Sequence, residues 1–175
     1  QCIALAEAAI LQPQDEARII EAGLHQIARF LGADRATLWE MGDDQRFRRA
    51  HHWFADGVPV AGEWSAQALP WIHARLNEDA MVRFARLDEL PAEAATDRQA
   101  MQALGVRSLL AVPVAVAGQL LGVFSVAAVR AARDWPDALV RSVGRLAEVF
   151  ATLRVRHELE RRERAAEAEA ALDSA

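Results

Sequence analysis

Residues 103–123, which read ALGVRSLLAVPVAVAGQLLGV, decide the fold of this chain. The stretch continues as FSVAAV, so two apolar runs flank the turn residues Ala117, Gly118 and Gln119. A glycine-containing turn between two such runs predicts a β-hairpin. Because both runs are almost continuously apolar, we expect protein to cover both faces of this hairpin. Pro113 lacks an amide hydrogen, which predicts a sheet edge or a β-bulge at its position.

The residues before this hairpin change between helical and extended patterns. Apolar residues recur at helical spacing between Asp15, an N-cap candidate, and Gly32, a C-cap candidate, which predicts an amphipathic helix. The predicted elements of this part are a helix over 15–31, a hairpin over 34–54, a loop over 60–67, a helix from Pro70, a weak strand over 81–87 and an Ala-rich helix from Pro91 to Leu104.

A long helix is predicted after the second hairpin, with Pro136 in its first turn. Its apolar residues repeat at intervals of four and three: Leu139, Val143, Leu146, Phe150 and Leu153. This heptad spacing suits either packing on a sheet or pairing with a second helix. Beyond Leu153 the charges alternate in sign, which is typical of an exposed helix. The whole order predicts an α+β fold, an antiparallel sheet with helices on its faces.

Composition argues against several classes of function. The chain has 175 residues, the size of one domain, and a net charge of −5. Its cations are all arginines, and the acidic balance does not favour nucleic-acid binding. The missing lysine excludes Schiff-base chemistry and a P-loop lysine. No GxSxG, HExxH or GxGxxG pattern occurs, so we expect no enzyme.

The chain begins with Gln rather than Met, which we interpret as a fragment of a multidomain protein. We expect the end of an upstream signalling helix over 1–14, one domain over 15–153 and a coiled-coil-like linker over 154–175. No apolar run approaches the roughly 20 residues of a membrane span. We therefore expect no membrane span in this fragment and a cytoplasmic location.

The sequence resembles a GAF domain over roughly residues 15–160. The similar segments are LGADRATLW, HHWFADGVP, LPWIHARLNEDAMVRF and, most specifically, ALGVRSLLAVPVAVAGQLLGV. The pattern with Trp53, Leu69–Trp71 and Trp135 is similar to GAF domains attached to bacterial sensor histidine kinases and diguanylate cyclases.

The resemblance implies a sheet of about six antiparallel strands between two helical layers. It implies that the long terminal helices pack on one face and commonly dimerise in parallel, and that the other face holds any small-molecule pocket. The function implied is a regulatory sensor of a two-component or similar signalling system, with a ligand-free dimerisation or spacer module as the alternative.

Four tryptophans are the best guide to a pocket, because Trp supplies a large apolar area with one polar atom. An aromatic pocket for a planar or cationic ligand competes with the simpler interpretation that these residues fill a core. The predicted pocket residues are Thr37, Trp39, His51, Trp53, Trp64, Trp71, Phe84, Ser108 and Leu110. The predicted dimer interface consists of Ile20, Leu139, Val143, Leu146, Phe150 and Leu153.

The sequence gives no evidence for a particular cofactor. Neighbouring strand residues point to opposite faces, so His51 and His52 cannot share a site, and no HxH or HxxxH spacing supports haem or another metal. Cys2 is the only cysteine and precedes the matched region, which argues against a covalent bilin and against thiol chemistry. The resemblance to cyclic-nucleotide-binding GAF domains is weakened by the missing lysine.

Overall fold

The computed structural model describes residues 13–173, and a six-stranded sheet with four α-helices makes up that part of the chain. In chain order the elements are α1 (Pro13–Leu31), β1 (Arg35–Met41), β2 (Arg46–Phe54), β3 (Trp64–Ser65), α2 (Pro70–Asn77), β4 (Val82–Phe84), α3 (Ala95–Ala103), β5 (Ser108–Val116), β6 (Gln119–Ala128) and α4 (Asp137–Asp173). Cys2 and most of the expected upstream helix lie outside the described residues.

The sheet runs β3-β2-β1-β6-β5-β4, and every neighbouring pair is antiparallel. Both predicted hairpins are therefore confirmed. The second turns at Ala117 and Gly118, which both have positive φ values, 51° and 78°, as a tight two-residue hairpin turn requires. Pro113 lies beyond the stretch of β5 that pairs with β4, so its missing amide hydrogen costs no bond on that side.

Each face of the sheet carries its own apolar core, which confirms the α+β sandwich expected from the sequence. On one face α1 and α4 cover residues such as Ala36, Leu110 and Phe124. On the other face α2, α3 and the 61–64 loop cover residues such as Trp39 and Val123. We call the face under α1 and α4 the helix face and the face under α2 and α3 the roof face of the sheet. Strand residues alternate between them because successive side chains point to opposite sides.

Three local predictions differ from the structure. Asp15 lies in the first turn of α1, because the helix begins at Pro13. Within the predicted loop, Trp64 and Ser65 form a short strand that pairs with Phe47 and Arg46, a tertiary contact that no local pattern indicates. The helix expected from Pro91 begins at Ala95 after two 3₁₀ turns, Leu87–Glu89 and Ala92–Ala94.

Most apolar residues predicted for the dimer interface pack against this chain's own sheet. Val143 is 2% exposed because it packs on the sheet, and Ile20, Leu139 and Phe150 also lie against the helix-face core. The ring of Phe150 lies 5.6 Å from that of Phe124. The heptad stripe therefore mainly covers this chain's own sheet, which satisfies the same spacing that a partner helix would.

Candidate functional site

The roof face contains a cavity of about 360 Å³ between the sheet and the helices that cover it. Strands β1, β5 and β6 form its floor, and α2, α3 and the 61–64 loop form its walls and roof. This volume lies at the lower end of the roughly 300–1,000 Å³ of small-molecule sites. Most of the lining is apolar: Trp39, Trp64, Leu69, Ile72, Leu76, Met101, Leu104, Val106, Leu109, Val123 and Ala127 among others.

Tryptophans define the aromatic end of this cavity. The rings of Trp39 and Trp64 meet edge to face, with centroids 6.3 Å apart and planes at 81°. Trp64 also stacks on Phe47 at 4.1 Å, and the indole N–H of Trp39 donates to Ser125 Oγ at 2.9 Å. Both indoles are therefore held in fixed orientations, as a preformed aromatic wall requires.

The polar end of the cavity is built from neighbouring positions on β1 and β6. Arg35 and Thr37 share one face of β1, and their direct partners on β6 are Ala127 and Ser125. All four residues line the cavity. Arg35 is only 4% exposed, and burial lowers the pKa of its guanidinium from the ordinary value, although the charge of Asp34 opposes this shift.

The roof of the cavity depends on a buried carboxylate. Asp97 on α3 is fully buried and accepts the backbone N–H groups of Trp71 and Ile72, at 3.1 and 2.9 Å. These are free donors of the first turn of α2, so Asp97 caps that helix from outside. The cap fixes α2 over the sheet, with Ile72 and Leu76 pointing into the cavity.

Of the nine predicted pocket residues, the structure brings Thr37, Trp39 and Trp64 together around the cavity. Phe84 lies in the same core but away from the cavity lining. Trp71 points out of α2 towards a surface groove with Arg83 and Val140, because inward positions on this helix are taken by Ile72 and Leu76.

The other four predicted residues lie on the helix face and do not line the cavity. Trp53 packs in the helix-face core and stacks on His25 at 4.7 Å. His51 pairs with Leu38 of that core, and Leu110 belongs to it. Ser108 donates to the carbonyl of Ala85 at 2.6 Å and accepts the N–H of Arg133 at 2.7 Å, a purely structural role.

A β-bulge in the first hairpin explains the position of Trp53. Leu38 pairs with His51 but Trp39 pairs with Arg49, so β2 holds one additional residue at this point. With continuous pairing from the turn, Trp53 would stand opposite Arg35 and share the roof face with Trp39. The bulge moves Trp53 opposite Ala36 and thereby to the helix face, since a one-residue shift reverses every side chain.

The histidines do not converge on one site. His51 lies on the helix face, His52 stacks on Phe54 at 4.8 Å, and His73 of α2 meets the edge of Phe47 at 6.0 Å. Among residues 13–173, no three His, Cys, Asp or Glu side chains are placed to hold a metal ion. None of the helices in the same range has the length and apolar character needed to cross a membrane.

The sequence model of the GAF domain matches residues 15–153, and the chain therefore belongs to the GAF domain family, a family of sensory domains in signalling proteins. No curated protein sequence matches this chain. The similar solved structures share the fold at low sequence identity.

One similar structure is the blue-light-absorbing form of the Thermosynechococcus elongatus PixJ GAF domain, with a TM-score of 0.69 at 18% identity. The alignment covers 90% of this chain and 96% of that one. A second is a domain of a putative two-component sensor histidine kinase from Sinorhizobium meliloti 1021, with a TM-score of 0.59 at 21% identity, covering 83% and 96% of the two chains. A third is the GAF region of a putative membrane protein from Geobacter sulfurreducens PCA, with a TM-score of 0.64 at 15% identity and coverage of 79% and 92%.

Proposed function

We propose that this domain is the regulatory sensor of a signal-transduction protein, in which a small molecule binds the roof-face cavity and the terminal helices relay its presence. The observation that carries the proposal is the cavity itself, which is apolar, walled by two fixed tryptophans and closed over by a capped helix. Such a cavity costs packing energy when it is empty, and a ligand restores those contacts.

The test is ligand-dependent thermal stability with a panel of small molecules. A ligand that binds only the folded state at 100 times its Kd adds about 2.7 kcal/mol, which for a domain of this size raises Tm by roughly 5–11 °C. Trp64→Leu removes one wall of the cavity and should abolish this shift.

Trp53→Leu is the matched control, because the same substitution there removes a tryptophan from the helix face. It should lower the basal Tm but leave the ligand-induced shift in place. If the shift is lost in Trp53→Leu and survives in Trp64→Leu, the ligand does not bind in the cavity.

We further propose that the domain forms a homodimer through the outer faces of α1 and α4. Large apolar side chains are exposed there, namely Ile19, Phe30, Val149 and Leu159, with Phe30 at 78%. Ile19 and Phe30 are eleven residues apart, which places them on one side of α1. Leu146 and Leu153 of the expected interface lie near Val149 in helical spacing, whereas Val143 is buried within the chain.

Light scattering of the double variant Phe30→Glu and Val149→Glu tests the dimer. We expect a monomer, because two carboxylates would be buried without partners at the interface. Val60→Glu is the control, since Val60 is 59% exposed and belongs to the segment between β2 and β3, outside both helices. A wild-type chain that is monomeric at high concentration would contradict the proposal.

A ligand-free spacer is the alternative function, and the same exposed faces of α1 and α4 support it equally. The two functions differ at the cavity. A dimer that gains no stability from any compound in the panel would favour the spacer.

A further inference from the structure

Arg35 lines the cavity and carries a buried polar atom that has no hydrogen-bond partner among the described residues. A guanidinium offers five N–H donors. One of them, on Nη2, donates to the carbonyl of Leu104 at a long 3.3 Å, and Nε is buried without any acceptor. Among the described residues, no carboxylate lies within salt-bridge distance of this side chain, although it is 4% exposed. A buried guanidinium with one long hydrogen bond and no ion pair is costly, so its position at a cavity is a reason to consider an anionic ligand.

The nearby carboxylates are engaged elsewhere. Asp34 accepts the backbone N–H groups of Val129 and Arg130 at 2.7 and 2.9 Å, which ties the start of β1 to the end of β6. Glu63, which lines the cavity mouth, pairs with Arg46 and with Arg48 at 3.4 and 3.3 Å. Neither the Asp34 carboxylate nor the Glu63 carboxylate can turn to Arg35 without losing these bonds.

Hydroxyl groups stand beside the guanidinium on the cavity floor. Thr37 is two residues along β1 from Arg35 and directly opposite Ser125 of β6. Ser125 Oγ accepts from the indole of Trp39, which leaves its own hydrogen free to donate. One cation and two hydroxyls in neighbouring register positions suit a single carboxylate, which accepts up to four hydrogen bonds.

Among the described residues, the only other charged residue of the cavity lining is Glu63, which is paired with Arg46 and Arg48. Its lining beyond this floor is the aromatic wall of Trp39 and Trp64 together with Ile72 and Leu76 of α2. The cavity therefore has one polar end and one apolar end. A second negative charge on a ligand would remain uncompensated in this environment.

We propose that the ligand of this cavity is a compact amphipathic monocarboxylate, with its carboxylate at Arg35 and its apolar body against Trp39 and Trp64. This inference rests on the proposed sensor function and specifies its ligand class. It also defines Arg35 as a ligand-binding residue and not as a surface arginine of the sheet.

A structural role for Arg35 makes a different prediction. The Leu104 carbonyl lies at the C-terminus of α3, where an arginine can act as a cap. If capping were its purpose, Arg35→Met would lower Tm in the absence of ligand. If the charge is there for an anion, the apolar variant should keep or raise that Tm, because it removes an unpaired buried charge.

The experiment compares two probes of nearly the same shape, the carboxylate 3-phenylpropionate and its neutral amide 3-phenylpropanamide, by titration calorimetry in a buffer without carboxylates. The whole 175-residue chain is used. We expect the wild type to bind the carboxylate at least tenfold more tightly than the amide. In Arg35→Met this preference should fall to within about twofold, since charge-assisted bidentate bonds are lost. Ala100→Phe, which fills the cavity from α3, should abolish binding of both probes.

Three results would overturn the inference. Equal affinity for the two probes in the wild type would show that the cavity does not select an anion, while leaving the sensor proposal intact. Carboxylate binding that persists in Ala100→Phe would place the anion elsewhere. No carboxylate binding at all, tested also with octanoate, would refute the monocarboxylate, and the neutral compounds of the wider panel then decide separately whether the cavity binds anything. The wild-type comparison remains valid even if Arg35→Met does not fold.

Discussion

Gly122 on β6 provides a sharp test of how closely β1 and β6 approach one another under the cavity floor. A Cβ atom at this position would lie 2.2 Å from the carbonyl oxygen of Trp39 and 3.3 Å from its carbonyl carbon. Real Cβ atoms essentially never come within 3.0 Å of such an atom. Gly122→Ala therefore requires the two strands to separate by at least about 0.8 Å, the difference between 3.0 and 2.2 Å.

The loss of stability comes from the strand contacts that this separation would break. Gly122 is paired on both sides, with Glu40 of β1 and Val114 of β5, so the strand cannot move away from one neighbour without pressing on the other. Overpacking of this kind costs about 1–3 kcal/mol. A stretched ladder hydrogen bond adds roughly 0.5–1.5 kcal/mol. We expect a total loss of about 2–4 kcal/mol, which lowers Tm by roughly 4–16 °C for a domain of this size.

Differential scanning calorimetry or a circular dichroism melt of the full chain measures this loss, with Gly144→Ala as the matched control. Gly144 lies within α4, and a Cβ there would meet nothing within 4 Å. The same substitution should stabilise the helix by about 0.5–1 kcal/mol. Opposite signs for the two variants are therefore expected. A Tm of Gly122→Ala within about 1 °C of wild type would refute the close approach of β1 and β6.

Two further predictions concern carboxylates. Asp97→Ala should lower stability by about 1–3 kcal/mol, because the buried N–H groups of Trp71 and Ile72 lose their acceptor, and chemical denaturation measures the loss. Asp44 should titrate with a pKa of about 2 in the folded chain, because Arg48 donates two hydrogen bonds to its carboxylate. Since this pKa is lowered, its contribution to stability is present above the unfolded value, about 3.9, and disappears as pH falls through about 2. Carboxyl NMR titration checks it, and Arg48→Met should raise the pKa towards the ordinary value of an aspartate.

The order of elements could be predicted from the sequence because each element carries a local signal. The apolar runs around Ala117 and Gly118 predict the second hairpin, and the apolar period of 15–31 predicts the first helix. In both cases the chain's own pattern and the tertiary packing favour the same structure. Prediction of the element type succeeds where that agreement is strong.

The sequence could not predict which face of the sheet each side chain of β2 lies on. The segment RFRRAHHWF has no apolar alternation that would set its register. The bulge beside Leu38 depends on the partner strand and is invisible in a single strand's pattern. The heptad repeat of α4 left two alternatives open for a related reason. A heptad repeat predicts that one side of a helix is covered, but not whether a sheet or another chain covers it.

Arg35, in contrast, could have been found. Positions 35, 37 and 39 of a strand share one face, and Thr37 and Trp39 were already assigned to the pocket. The same alternation places Arg35 beside them, but an arginine in a strand ordinarily indicates a solvent-exposed position. The sequence does not indicate that Arg35 is buried. Its burial results from α3 closing over the start of β1 through Leu104.

The proposed relay has a physical route because β1 and β6 belong to both cores. Thr37 and Ser125 line the cavity, whereas Ala36 and Phe124, the residues next to them, pack under the terminal helices. Under the proposed function, a ligand that displaces either strand at the cavity floor would move Phe124 against Phe150 of α4, since closely packed layers repack rather than compress. The signal then requires only that the ligand bind one of the two packings more tightly than the other.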